Sequence, residues 1–245
     1  MYVYLFVLIN LFISYNTNFF TEKISDEDLL LGKFEPTKHP NFQMIDIKYA
    51  DRNGRYIQKE TYKAFVAMYE AAKKEGLQLK IISATRNFEQ QKKIWEDKWT
   101  GVTLIGENEN LSKTTVDPVA RAKRILEYSS MPGTSRHHWG TDIDINSLND
   151  SYFQKGEGKK VYAWLQKNAS KFGFCQPYTP KTKLRPNGYN EEKWHWTYTP
   201  LSSQYLTLIK NKINNQSIKG FKGAETAVSL DVVNNYILCV NTDCK

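Results

Sequence analysis

Histidine is scarce in this sequence, with four residues in 245, and cysteine is scarcer, with three. The chain also lacks an internal repeat, a low-complexity tract, a compact Lys/Arg run and a long hydrophobic segment. Each shortage excludes something. Three cysteines cannot build a disulfide framework or a four-cysteine zinc site. Cys239 and Cys244 form a Cys-x4-Cys spacing with no second pair and no nearby histidine, a poor zinc signature. In an exported chain these two are expected to pair, leaving Cys175 as a small buried apolar residue. Without a concentrated basic tract, the net charge of +8 favours polyanions in general and does not choose among nucleic acid, anionic lipid and an anionic wall polymer.

The first uncharged stretch, Tyr2 to Tyr15, is apolar apart from Asn10 and Ser14 and is too short to span a membrane comfortably. It fits the apolar region of a secretory signal, although no Lys or Arg precedes it and no small-x-small cleavage site follows. The expectation is a signal peptide or N-terminal anchor over residues 1–20 and an exported chain in the periplasm or cell envelope. Residues 21–245 are then read as a single monomeric domain, with a core over 59–200 and a C-terminal extension over 201–245.

What is present has the patterning of a globular chain, and a hydrophobic share of 40% supplies a real core. Lys59 to Lys74 carries apolar residues at helical spacing and is stopped by Gly76. Leu77 to Ser83 reads as a strand. Asn87 with Gln90 has the pattern of a capping box, so Arg86 falls at a strand-to-helix junction. Asp117-Pro118 opens another helix, and Lys159 to Lys171 and Leu201 to Lys212 read as two more. Ser229 to Val240 leans toward helix. Gly140 to Ile145 has strand character, with Ile143 and Ile145 on one face and Asp142, Asp144 and Asn146 on the other, a face suited to solvent or a polar site. Pro177 to Asn190 is a long loop suited to lining a cleft. Lys193 to Thr199 reads as a strand with Trp194, Trp196 and Tyr198 on one face and His195 on the other.

Three of the four histidines fall in two short stretches, Ser135 to Asp144 and Glu192 to His195, while His39 sits alone in a Pro-flanked loop. An imidazole and a carboxylate on one segment, with a second imidazole on another, is an ordinary way to hold a divalent metal. Neutral nitrogen and anionic oxygen suit Zn²⁺, and three protein ligands leave a fourth position for water. Spacing alone does not separate His137 from His138. Simple strand alternation places Glu191, not Glu192, on the face of His195.

These residues resemble the D-alanyl-D-alanine carboxypeptidase family of zinc peptidases, the group that includes VanY-type enzymes. Ser135-x-His137-x-x-Gly140-x-x-x-Asp144, then Glu192-x-Trp194-His195, preceded by Ser83-x-x-Arg86 with Gln91, occur in the family's order over nearly half of the chain. The resemblance implies an α+β fold of the hedgehog/D-Ala-D-Ala peptidase type, in which a small antiparallel sheet carries the ligands and packs against helices. It implies one Zn²⁺ held by His137, Asp144 and His195. It makes Glu192 the proton carrier and Arg86 the group that polarises the scissile carbonyl, with Ser83, Gln91 and Ser135 beside the substrate. His138 becomes a packing or outer residue. The implied substrate is a peptidoglycan stem peptide, not nucleic acid, and the implied reaction is removal of the terminal D-alanine. An endopeptidase would use the same ligand set. An Fe(II) oxygenase would favour a close His-x-Asp pair and needs no glutamate beside the distal histidine, and a zinc-binding module without turnover needs neither Glu192 nor Arg86. The family position two before the aspartate is usually small. Here it is Asp142, a second carboxylate that either alters the metal site or points away.

Overall fold

The computed structural model describes residues 24–245. The expected signal or anchor over residues 1–20 lies outside the described residues. Among those described, no helix is long and apolar enough to cross a membrane.

A short helix α1 (Asp26–Leu30) is capped by Ser25, whose hydroxyl accepts from the Asp28 amide. A two-stranded antiparallel ribbon follows, β1 (Phe42–Met44) against β2 (Tyr56–Gln58). Helix α2 (Lys59–Lys74) buries Phe65, Met68, Tyr69 and Ala72, the i, i+3, i+4, i+7 stripe visible in the sequence. After β3 (Ile81–Ser83) comes α3 (Phe88–Trp99), opened by the reciprocal capping box of Asn87 and Gln90. A four-residue helix α4 (Leu111–Thr114) and α5 (Pro118–Ile125), with proline in its first turn, lead to β4 (Asp142–Ile145). Helix α6 (Gly156–Asn168) and β5 (Phe174–Cys175) precede β6 (His195–Tyr198), and α7 (Thr199–Lys212) and α8 (Thr226–Ser229) complete the elements. The stretch expected as one helix over 229–240 is instead α8, a turn, and a separate wide helical turn at Val233–Ile237.

The central sheet has the order β3-β4-β6-β5, with every neighbour antiparallel. This is an α+β architecture, as expected. The sheet's two faces differ in chemistry because the side-chain period of a strand is two. One face presents Ile81, Ile143, Ile145 and Trp196 to α2 and α6, and together they form one hydrophobic cluster. Burying each such aliphatic side chain contributes roughly 1.5–3 kcal/mol. The other face carries Asp142, Asp144, His195 and Thr197, in the register Asp142 to Thr197 and Asp144 to His195. A second hydrophobic cluster joins α3, α5, α7 and the C-terminal segment, and includes Trp139, Tyr178 and Tyr189.

The C-terminal segment is fastened to the end of β5 and to the loop over 177–190. Cys175 pairs with Cys244, and Cys239 is a half-buried free thiol. This corrects the expected Cys239–Cys244 pair. Closeness in sequence did not matter, because the last residues run back along β5, where the Asn241 amide donates to the Pro177 carbonyl at 2.9 Å. Asn187 donates to the Asn235 side-chain oxygen at 3.0 Å, and the Tyr189 and Tyr236 rings sit 5.2 Å apart.

Candidate metal centre

His137 reaches the centre from a tight turn, Arg136–Trp139, that ends at Gly140 with φ of 69°. That left-handed conformation favours glycine, and a Cβ at this position would lie 2.4 Å from the Phe42 ring. Glycine is therefore required twice over, for backbone angle and for space. The chain then enters β4 after Thr141, which brings His137 and Asp144 within 3.3 Å of each other. Across the register, β6 supplies His195 opposite Asp144.

The donor atoms of His137, Asp144 and His195 all lie within 4.8 Å of one another, and all three residues are buried. His137 Nδ1 is 2.8 Å from the Ala84 carbonyl. A carbonyl can only accept, so Nδ1 carries the proton and Nε2 faces inward, 3.3 Å from Asp144 Oδ2. His195 is turned the other way. Its Nε2 donates to Asp142 Oδ2 at 2.9 Å, and its Nδ1 faces Asp144 Oδ1 at 3.1 Å. Asp144 Oδ1 is buried with no aligned hydrogen-bond donor. An acceptor left open among two inward-facing imidazole nitrogens is what a divalent cation satisfies, so the donor set fits a metal such as zinc.

Asp142 does not point away. Its Oδ2 accepts from Arg136 Nε at 2.9 Å as well as from His195, and its Oδ1 accepts from Thr141 and Thr197 hydroxyls at 2.7 Å each. Arg136 is wholly enclosed, donates to the Thr197 hydroxyl at 2.7 Å, and lies over the Trp139 ring at 4.7 Å. Burial alone would push the Asp142 carboxyl up, but Arg136 and His195 outweigh it and hold it well below the usual carboxylate range. A charged carboxylate on the outer nitrogen of a ligand imidazole fixes its tautomer and raises its basicity.

His138, the neighbour that spacing could not separate, uses both ring nitrogens elsewhere. Nδ1 donates to the Arg86 carbonyl at 2.6 Å, and Nε2 accepts from the Gly133 amide at 3.1 Å. Burial pushes its pKa down to about 3, consistent with a neutral packing residue.

Glu192 is brought in by a turn. The His195 amide donates to the Glu192 carbonyl at 3.2 Å, and the strand begins only at His195. The expected strand over Lys193 to Thr199 therefore starts two residues too early and ends one too late. Strand alternation does not apply across the turn, which is why Glu192 and not Glu191 faces the centre. Glu192 Oε2 is 3.2 Å from His195 Nδ1, while Glu191 turns outward to Tyr162 at 3.2 Å and Lys193 at 3.4 Å. The same turn separates Trp194, which lines the cleft, from Trp196, which enters the core. Burial raises the Glu192 pKa above its ordinary value, against the pull of His195. Raised pKa values are common in carboxylates that carry protons in catalysis.

Arg86 extends toward Asp144, Nη1 to Oδ2 at 3.9 Å. Ser83 and Gln91, expected beside the substrate, both hold this guanidinium. Nη1 donates to the Ser83 hydroxyl at 2.6 Å, and Nε donates to Gln91 Oε1 at 2.9 Å. Gln91 is itself fixed by donating to the Ser130 carbonyl at 2.8 Å, and it still borders the cleft. Ser135 is not part of the cleft lining, and its hydroxyl is buried without a partner. Asn146 also leaves the polar strand face, since it follows the end of β4 with φ of 63° and binds the Lys80 amide at 2.7 Å.

The centre opens into a cleft of about 590 Å³. Residues that sequence reasoning did not assign to it include Ile94, Lys98, Tyr128, Asp150, Tyr178 and Tyr189. The Tyr178 ring is 4.7 Å from the His195 ring. The loop over 177–190 had a composition that suited a cleft wall, but nothing in it marked which tyrosines turn inward.

The sequence model of VanY: D-alanyl-D-alanine carboxypeptidase matches residues 54–201, more than half of the chain. The Bacillus subtilis (strain 168) protein YodJ, whose carboxypeptidase name is provisional, is 32% identical over 71% of this chain and 58% of its own. A D-alanyl-D-alanine carboxypeptidase of Enterococcus faecalis is 29% identical over 62% of this chain and 51% of its own. The chain thus spans between half and three-fifths of the length of these curated relatives. Among solved structures, VanYB in complex with D-Alanine-D-Alanine aligns with a TM-score of 0.50 and 25% identity, over 70% of this chain and 82% of that one. The LdcB LD-carboxypeptidase aligns with a TM-score of 0.52 and 26% identity, over 80% of this chain and 79% of that one. The match spans β2 through the start of α7 and so takes in every strand of the central sheet and every residue of the metal centre: the chain belongs to the VanY D-alanyl-D-alanine carboxypeptidase family.

Proposed function

We propose that this chain is a zinc metallopeptidase that removes the terminal D-alanine from peptidoglycan stem peptides. The observation that carries the reading is the meeting of three elements in one cleft. A compact His137, Asp144 and His195 donor set lies beside a buried glutamate at 3.2 Å from His195 and a guanidinium braced by two side chains. The names of the relatives and the D-Ala-D-Ala of the VanYB complex support the substrate class.

His137 Nε2, His195 Nδ1 and the Asp144 carboxylate would hold one zinc per chain. When bound, zinc supplies a Lewis acid that brings the pKa of water to about 7. Glu192 takes a proton from the attacking water and delivers it to the leaving nitrogen, a double transfer one carboxylate can perform. Arg86 donates to the carbonyl oxygen as it gains charge, and its bracing by Ser83 and Gln91 means little reorganisation is needed at that moment. Asp142 and Arg136 keep His195 turned with Nδ1 inward. Action on the wall also assigns the chain to the periplasm or cell envelope.

Metal analysis with mass spectrometry of a digested pentapeptide stem tests this reading. Loss of one terminal D-alanine is expected. A cut inside the stem would make the enzyme an endopeptidase, and intact peptide with zinc bound would remove the peptidase reading. Fractionation of the native host tests the location, and recovery in the cytoplasm alone would overturn it.

A further inference from the structure

The cleft contains a cation that the catalytic reading leaves unused. Gln91, Ile94 and Lys98 lie at i, i+3 and i+7 of α3, so one stripe of that helix faces the cleft. Gln91 fixes Arg86 at one end of this stripe, and Lys98 stands at the other, about 10 Å further along the helix axis. A lysine side chain is long enough to bring its ammonium back over much of that distance.

Lys98 Nζ donates to the Ser129 hydroxyl, and Ser129 is itself a buried residue of the cleft lining. No carboxylate among the described residues lies within ion-pair distance of Lys98. The other cleft-facing acids are engaged: Asp150 with Lys193 at 2.7 Å, Glu192 with His195, and Asp144 with the two imidazoles. Lys98 is thus a half-buried ammonium held in place by a neutral hydroxyl, facing a cleft in which no carboxylate is close enough to pair with it. Burial, and then the positive charge of Arg86, pull its pKa down against a weaker opposing pull from Glu192. An anion arriving with the substrate would relieve both costs.

A peptide whose scissile carbonyl sits at Arg86 places its next carboxyl group one residue away, about 3.5 Å of chain further on. We propose that Lys98, positioned by Ser129, is the subsite for the free C-terminal carboxylate of the peptide, which makes it the residue that restricts the enzyme to chain ends. The inference rests on the peptidase reading above and deepens it. An endopeptidase needs no cation there, since the corresponding group is an uncharged amide.

The test compares a pentapeptide ending in free D-Ala-D-Ala with the same peptide as its C-terminal carboxamide, using full-length zinc-loaded protein. Wild type should prefer the free acid, and Lys98→Met should lower kcat/KM for the acid about 10- to 100-fold, through KM, toward the value for the amide. The amide should fall far less, and Lys98→Arg should recover most of the preference. An equal loss on both peptides, or a preference that survives Lys98→Met, would overturn the assignment. Should wild type cut neither peptide, the peptidase reading fails on its own. Calorimetric binding of D-Ala-D-Ala and its amide to wild type and Lys98→Met then decides the subsite. A carboxylate-dependent affinity lost in the variant upholds it, and equal binding of acid and amide by wild type removes it.

Discussion

The two imidazoles of the centre lie 4.7 Å apart, ring to ring, yet they are held by opposite means. His137 leans on a backbone carbonyl, that of Ala84, and its charged neighbours are of opposite sign, Arg86 and the single carboxylate of Asp144. Burial, and then that guanidinium, pull its pKa down to about 4, so it is a neutral donor at any ordinary pH. His195 is enclosed by carboxylates. Burial works against its charged form, but Asp142, Asp144 and Glu192 together hold its pKa well above the ordinary value. One ligand is therefore set by main-chain geometry and is already deprotonated. The other is set by a buried side-chain relay from Arg136 through Asp142, and a proton competes with any metal for it. Two residues of one type in one site can thus present very different affinities for the same ion.

Removing either imidazole should erase this asymmetry altogether. His137→Ala and His195→Ala should each lose the bound zinc and all measurable turnover by elemental analysis and peptide assay, while His138→Ala keeps the metal. Retention of zinc by His137→Ala would return the assignment to His138. Glu192→Gln sharpens the comparison by leaving both imidazoles in place. It should keep zinc and lower kcat by at least about 10²-fold, the lower end for acid–base catalysis, whereas Glu191→Ala should assay like wild type. Arg86→Ala touches the His137 side and should cost about 10²- to 10³-fold in kcat with zinc retained.

Asp142→Asn addresses the relay on the His195 side alone. Zinc affinity, measured by chelator competition, should weaken about 10- to 100-fold, with the fold intact by circular dichroism. Affinity equal to wild type would mean that Asp142 serves packing only. A change of one pH unit has the smallest effect. Metal binding at His195 Nδ1 must displace a proton whose pKa is raised, so affinity should rise with pH, by roughly tenfold per unit below that pKa. His137, at about 4, contributes to this slope only in acid. In Asp142→Asn the slope should flatten toward neutrality first, because the carboxylate that favours the proton has gone.

The resemblance of three short motifs pointed to His137, Asp144, His195, Glu192 and Arg86, which the fold brings into one cleft, and strand periodicity correctly divided β4 into an apolar and a polar face. The sequence did not show where periodicity stops. Alternation favoured Glu191 over Glu192, but a turn ends it at the residue that matters, and Asn146 sat beyond the end of its strand. Ser83 and Gln91 were recognised as part of the site, but their hold on Arg86 depends on side-chain distances of 2.6 and 2.9 Å. Lys98 looks like any lysine in the last turn of a helix until the fold places the cleft beside it. The pairing of Cys175 with Cys244 was illegible for a related reason, since only the return of the C-terminal segment along β5 brings positions 69 apart together.

That cystine has a topological consequence. It encloses Tyr178, Glu192 and His195 within one covalent ring, while Arg86, His137 and Asp144 lie on the chain outside it. Lys181 and Lys183 stand exposed on the loop within the ring. A protease that cleaves there opens the ring without releasing either piece, so the nicked chain should migrate as one band until a reductant is added. Half of the candidate site is thereby held to the rest of the chain after a single cut in this exposed loop.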